Sequence, residues 1–204
     1  RSPDAATCAK CASEIFTKTN RRWRYAFTNC THCGPRHTIT RHIPYDRAQT
    51  SMAVFPMCPA CRAEYENPAD RRFHAQPNAC PVCGPKLTLT DNKGNVIARD
   101  AIAGTLKVIL TGGIAAVKGL GGFHLVCDAR NSRAVTRLRE RKGRSEKPLA
   151  VMCANTESAS ELVRLSAAGV KALTSVARPI VLAPKTEAAD RLLAPGVAGG
   201  FSEV

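Results

Sequence analysis

Asn29-Cys30-Thr31-His32-Cys33-Gly34-Pro35-Arg36 and Ala79-Cys80-Pro81-Val82-Cys83-Gly84-Pro85-Lys86 carry one turn written twice, fifty residues apart. Each holds a Cys-x-x-Cys pair, and two further pairs, Cys8/Cys11 and Cys58/Cys61, precede them at the same period. Such a turn points two sulfurs at one spot, so two turns complete the tetrahedral all-sulfur shell that zinc accepts in closed, structural sites. Four turns therefore imply two zinc ions.

Eighteen residues separate Cys11 from Cys30 and again Cys61 from Cys80, whereas twenty-four separate Cys33 from Cys58. The copies also match at Arg21-Arg22-Trp23 with Arg71-Arg72-Phe73, and at Thr38-Ile39-Thr40 with Thr88-Leu89-Thr90. Duplication makes one ion per copy the simplest arrangement. An interleaved pairing, with the outer turns sharing one ion and the inner turns the other, stays open because spacing does not exclude it. The competing reading is a disulfide framework. The start of the chain shows no signal-peptide pattern and Cys127 and Cys153 have no motif partner, which fits a reducing compartment better.

The 204 residues, 44% of them hydrophobic, allow one ordinary core beside a metal-stapled region. Aromatics make up only 5%, and Trp23, Tyr25, Phe27, Tyr45, Phe55, Tyr65 and Phe73 fall between the cysteine turns, where they are expected to pack over the metal sites. The formal charge of +14 drops to roughly +10 once eight thiolates and two zinc ions are counted. The balance favours anionic partners such as nucleotides or RNA, with a solvated surface as the alternative. No apolar run is long enough to span a bilayer, so the chain reads as cytoplasmic with no membrane partner.

Five segments are expected: a linker over 1–7, a first four-cysteine zinc finger over 8–41, a connector over 42–57, a second four-cysteine zinc finger over 58–90 and an α/β domain over 91–204. The fingers should hold little regular structure. Asp91-Asn92-Lys93-Gly94-Asn95 is a turn cluster that closes a hairpin between Leu87–Leu89 and Val96-Ile97. Beyond it the pattern predicts a helix over 101–110 ended by Gly112-Gly113, and strands over 114–117, 123–126, 149–152 and 180–182. Asn131 or Ser132 caps a helix running to Arg141-Lys142, and further helices follow Asn155 and Ser166.

Two stretches carry ligand-binding chemistry. Lys118-Gly119-Leu120-Gly121-Gly122-Phe123-His124 is a glycine-rich turn whose backbone can approach a ligand, with Lys118 as a point charge for phosphate; a purely structural turn fits the pattern as well. Arg137 to Arg144 clusters cations beside Gly143, which suits a di- or triphosphate; a solvated helix face is the alternative. His124 offers a donor for a carbonyl or phosphoryl oxygen, although a lone histidine is more often structural.

The run Phe55-Pro56-Met57-Cys58, then Asp70-Arg71-Arg72-Phe73-His74-Ala75-Gln76-Pro77, then Ala79 to Pro85 closely resembles the second zinc unit of the HypF family of hydrogenase maturation carbamoyltransferases. Asn29 to Arg36 resembles the end of its first. Val117 to Leu125, Cys127-Asp128-Ala129 and Lys147 to Met152 are similar to the opening of that family's YrdC-like domain. The resemblance implies an α/β (α+β) YrdC-like domain, incomplete here, behind a duplicated zinc-finger module. It also implies nucleotide and carbamoyl contacts at Lys118, Gly119, Gly121, Gly122 and His124, and at Lys142 and Arg144 as the Lys-x-Arg pair. ATP with magnesium and carbamoyl phosphate are the implied substrates, yielding carbamoyl-adenylate. The carbamoyl group then passes to the C-terminal cysteine of a HypE-type partner, toward the cyanide ligands of nickel–iron hydrogenase. The zinc units, Cys8, Cys11, Cys30, Cys33, Cys58, Cys61, Cys80 and Cys83, serve as scaffold.

The family's acylphosphatase and C-terminal transferase domains and its Ser-x-Asn element have no counterpart in this stretch, and Ser145-Glu146 stands where the family often has a Pro-Asp-like pair. The chain by itself is therefore expected to be inactive. Rival readings are a zinc-ribbon module binding double-stranded RNA or another nucleic acid, and a threonylcarbamoyl-adenylate-synthase-like protein.

Overall fold

A computed structural model describes residues 3–144 and 146–204. Ser145, and residues 1 and 2 of the expected linker, lie outside the described residues. The chain divides into two compact units, one reaching to Lys86 and the other running Leu87–Val204.

The first unit is the duplication made visible. Each copy opens on a helix, α1 (Ala9–Phe16) and α2 (Pro59–Glu66), with the first cysteine of its cluster, Cys8 or Cys58, at the N-cap position. Pro59 at the first helical position has no N–H to leave unsatisfied. After each helix the chain reverses through a residue with positive φ, Arg24 or His74, again fifty positions apart. Their amides donate to equivalent carbonyls, Arg24 to Ile15 at 2.8 Å and His74 to Tyr65 at 3.0 Å.

Residues 3–5 join the first copy. Ala5 and Gly34 exchange backbone hydrogen bonds of 3.0 and 2.8 Å, which Gly34 meets at φ +90°, a conformation open to glycine. Asp4 accepts from the Arg36 amide at 2.7 Å and the Thr38 hydroxyl at 2.6 Å. Residues 42–57 contain two short 3-10 turns, Arg47–Gln49 and Ser51–Val54. Arg47 ties them to the second copy, donating to the carbonyls of Gln76 at 2.6 Å and Asn78 at 2.9 Å.

The aromatic residues do not all cover the metal clusters as expected. Tyr25, Ile39, Met52 and Ala79 form a small core, with Phe27, Tyr45 and Phe55 packed against it. Trp23 and Phe73 are exposed instead. Each follows a buried arginine, Arg22 or Arg72, that takes the interior position beside it.

The second unit mixes helices with short antiparallel hairpins. β1 (Leu89–Thr90) pairs with β2 (Val96–Ala98) around the Asp91 turn, where the Asp91 carboxylate accepts from the amides of Lys93 at 2.8 Å and Asn95 at 2.9 Å. α3 (Ala101–Leu110) starts at Asp100, whose side chain caps Ile102 and Ala103. β3 (Ala115–Lys118) and β4 (Phe123–Val126) form the second hairpin, in register from Ala115 opposite Val126 to Lys118 opposite Phe123.

α4 (Ser132–Lys142) is capped by Asn131 and ends on Gly143 at φ +59°, the left-handed stop glycine adopts without strain. α5 (Thr156–Leu162), α6 (Ala167–Leu173) and α7 (Glu187–Leu192) follow, with α5 and α6 beginning at Asn155 and Ser166 as the sequence predicts. Val135, Ala189, Leu193, Ala194 and Val197 make the core of this unit.

The segments 149–152 and 180–182, expected as strands, have no ladder partner among the described residues. Leu149 donates a single bond to the Val197 carbonyl at 2.8 Å, and Met152 and Ile180 are exposed. An apolar run becomes a strand only when a neighbour accepts its backbone groups. No described helix is long and apolar enough to cross a membrane.

Candidate metal centres and nucleotide site

The eight motif cysteines gather into two groups, Cys8, Cys11, Cys30 and Cys33, and Cys58, Cys61, Cys80 and Cys83. This is the sequential pairing, one cluster per copy. Within the first, sulfur–sulfur separations are 3.9 Å for Cys8–Cys30, 3.8 Å for Cys30–Cys33 and 3.5 Å for Cys33–Cys11. In the second, Cys58–Cys80 is 3.7 Å and Cys80–Cys83 is 3.8 Å. A tetrahedron with Zn–S bonds of about 2.3 Å has edges of about 3.8 Å. The sulfurs therefore fit zinc, and they lie far beyond disulfide bonding distance, ~2.05 Å.

Burial pushes the Cys61 thiol up to about 12, against the Arg21 guanidinium that favours its thiolate. It pushes Cys11 up likewise, against Arg71. Burial also opposes the Cys8 and Cys80 thiolates, but backbone and thiol hydrogen bonds outweigh it and both fall to about 7. A metal entering either cluster at neutral pH must therefore displace protons.

Each cluster is walled by residues of the other copy. Arg22, almost completely buried, donates through Nε to the Ala79 carbonyl at 2.9 Å and grips Glu64 with both terminal nitrogens, at 2.9 and 2.6 Å. Arg72 repeats this, donating through Nε to the Asn29 carbonyl at 3.0 Å and pairing with Glu14. Arg21 meets Glu64 at 2.7 Å, and Arg71 meets Glu14 at 2.6 Å. Sequence reasoning noticed the arginine pairs but missed Glu14 and Glu64. The signal lay in the same repeat, since each glutamate follows the second cysteine of its helix by three residues and so shares its face.

The nucleotide candidates fall in two places in the second unit. Lys118, Gly119, Gly121, Gly122 and His124 sit on the β3–β4 hairpin, where the Gly119 amide donates to the Gly122 carbonyl at 2.7 Å. Lys118 Nζ lies 4.9 Å from the centre of the Phe123 ring. A side chain at Gly119 would come within 3.0 Å of His124 Nε2, whereas Gly121 and Gly122 face open space. Lys142 ends α4 and Arg144 follows its cap; Arg144 donates to the carbonyls of Lys147 at 3.3 Å and Pro148 at 2.8 Å. Among the described residues, no hydrogen bond or ion pair joins the hairpin turn to Lys142 or Arg144.

Two family models match this chain: the HypF finger, over residues 7–40 and 57–90, and the Sua5/YciO/YrdC model, described as "Telomere recombination", over residues 107–204. Carbamoyltransferase HypF2 of Cupriavidus necator is 56% identical over 199 residues, which cover 97% of this chain and 24% of that protein. Carbamoyltransferase HypF of Rhodobacter capsulatus is 56% identical over 196 residues, 96% of this chain and 26% of that protein. The crystal structure of T. kodakarensis HypF superposes with a TM-score of 0.94 at 44% identity, covering 99% of this chain and 26% of that one. Full-length HypF in its phosphate- and nucleotide-bound form gives 0.90 at 44% identity, over 100% and 26%. The chain spans about a quarter of the length of these relatives.

Proposed function

Because the chain belongs to the HypF carbamoyltransferase family through its fingers and its Sua5/YciO/YrdC region, we propose that it is part of a carbamoyltransferase serving nickel–iron hydrogenase maturation. Water cleaves carbamoyl phosphate to carbamate and inorganic phosphate, and a carbamate oxygen then attacks the α-phosphorus of ATP, displacing diphosphate. The product, carbamoyl-adenylate, hands its carbamoyl group to the C-terminal cysteine of a HypE-type acceptor. The observation that carries this reading is the 56% identity, over 199 residues, to a protein named a carbamoyltransferase.

In forming the adenylate, ATP loses diphosphate, so the site must offset negative charge on the leaving group. Lys142 and Arg144 supply two cations at the end of α4, with the Arg144 guanidinium held in place by the carbonyls of Lys147 and Pro148. On the β3–β4 hairpin, the open backbone at Gly121 and Gly122 lets a ligand approach the main chain. Lys118 adds a point charge, and His124 holds a proton for a phosphoryl or carbamoyl oxygen. ATP enters as its magnesium complex.

Cys8, Cys11, Cys30 and Cys33 hold one zinc ion and Cys58, Cys61, Cys80 and Cys83 the other. Four sulfurs close each shell, so the zinc contributes structure and no open position for chemistry. The arginine pairs that would favour a nucleic-acid reading are turned onto Glu14 and Glu64.

Calorimetry of ATP binding to the zinc-loaded chain and to its K142A/R144A variant tests the nucleotide assignment. Binding by the parent and none by the variant is expected. Undiminished affinity in the variant sinks it, as does a parent that binds no ATP.

A further inference from the structure

The copies do more than pack against each other, because each sends an arginine to the sulfur cluster of the other. Arg71, from the second copy, places Nη1 3.1 Å from Cys11 Sγ in the first. Arg21 and Arg22, from the first copy, place Nη2 3.4 and 3.6 Å from Cys61 Sγ in the second. Cys11 and Cys61 are equivalent positions, both fully buried on the inner side of α1 and α2.

Four thiolates around a divalent zinc leave a net charge of about −2. Held away from water, that charge is costly unless donors and cations face it. At each cluster an arginine from the opposite copy answers this need. Its orientation is fixed by the glutamate one helical turn beyond the cysteine it serves, Glu14 for Arg71 and Glu64 for Arg21. The neighbouring arginines are anchored on the carbonyls of Asn29 and Ala79, which immediately precede the ligands Cys30 and Cys80.

We propose that Arg71 belongs to the first metal site and Arg21 to the second as positioning residues, so that the two zinc sites are built jointly and bind their ions cooperatively. The inference rests on the reading that both clusters hold zinc. A small zinc finger takes up its fold with its metal. Zinc in the second cluster therefore sets Arg71 in place for the first, and zinc in the first sets Arg21 for the second. Linkage makes the coupling equal in both directions.

The test uses the full chain. Elemental analysis first counts zinc; two ions per chain uphold the metal reading, and none overturns that reading itself. R71M and R21M are then exposed to a zinc chelator under native conditions, and the cysteines freed are identified by alkylation and peptide mapping. R71M is expected to lose zinc first from Cys8, Cys11, Cys30 and Cys33, and R21M first from Cys58, Cys61, Cys80 and Cys83. Each weakened site should release its ion at roughly tenfold lower chelator concentration, the scale of a lost hydrogen bond to a charged group. Lysine at either position should recover part of the affinity.

A second variant, C58A/C83A, removes the second site while leaving the first cluster's ligands intact. Its remaining ion is expected to be held at least tenfold more weakly than in the parent. First-cluster affinity within twofold of the parent overturns the proposal. So does an arginine variant that loosens the site of its own copy first, as a merely structural role would.

Discussion

Arg22 and Glu64 close a two-point ion pair across the duplicated module, with guanidinium-to-carboxylate distances of 2.9 and 2.6 Å. The pair exists again fifty residues on, as Arg72 with Glu14, with the roles of the two copies exchanged. The interface is therefore self-complementary, like that of a symmetric dimer folded into one chain.

Glu64→Gln should be strongly destabilising. It leaves the buried Arg22 without its counter-charge, a change worth about 3 kcal/mol for a pair of this kind. Denaturant unfolding of the zinc-loaded chain measures it, and Glu14→Gln should match it. A loss no larger than that of the exposed pair Arg62–Glu66 would show the interface to be solvated.

The same pair has a defined pH signature. Burial works to raise the Glu64 carboxyl, but hydrogen bonds from Arg22 and Arg21 override it and hold it down to about 2. An unfolded glutamate titrates at ~4.3, so the native carboxylate contributes stability that is fully present above that value and is lost as pH falls toward its folded one. Melting curves of the parent and the Gln variant should differ by a constant amount from pH 7 to 5. A gap that closes within that range would contradict the assignment.

Gly84 has no room for a methyl group. A Cβ there would sit 2.0 Å from the Tyr25 hydroxyl and 2.5 Å from Ala79 Cβ. Gly84→Ala should cost about 2–3 kcal/mol by overpacking. Adding Tyr25→Phe removes one of the two clashes and should recover part of that loss, whereas additive effects would place the strain elsewhere.

Chelation should act on one unit only. Hydrogen exchange after zinc removal is expected to accelerate across residues 1–86, while α4 keeps its protection through Val135 and Leu138. Loss of protection in α4 at the same chelator concentration would show that the second unit depends on the metal.

The Cys-x-x-Cys spacing, the fifty-residue repeat, a helix cap at Asn131 or Ser132 and the helices after Asn155 and Ser166 were legible in the sequence because each is local chemistry. A cysteine turn, a capping side chain or a left-handed glycine acts within a few residues of itself. The family motifs were legible for a related reason, since they are unbroken strings.

Tertiary structure alone decided what joins what. A Cys-x-x-Cys turn is the same whichever partner completes its shell, so spacing left the pairing open until the clusters separated as one per copy. The inward turn of Arg22 and Arg72 onto Glu64 and Glu14 was equally hidden, because charge in a sequence reads as surface until a carboxylate from elsewhere in the chain meets it. The segments 149–152 and 180–182 failed as strands for the converse reason: alternation and apolarity describe one chain segment, whereas a ladder needs two.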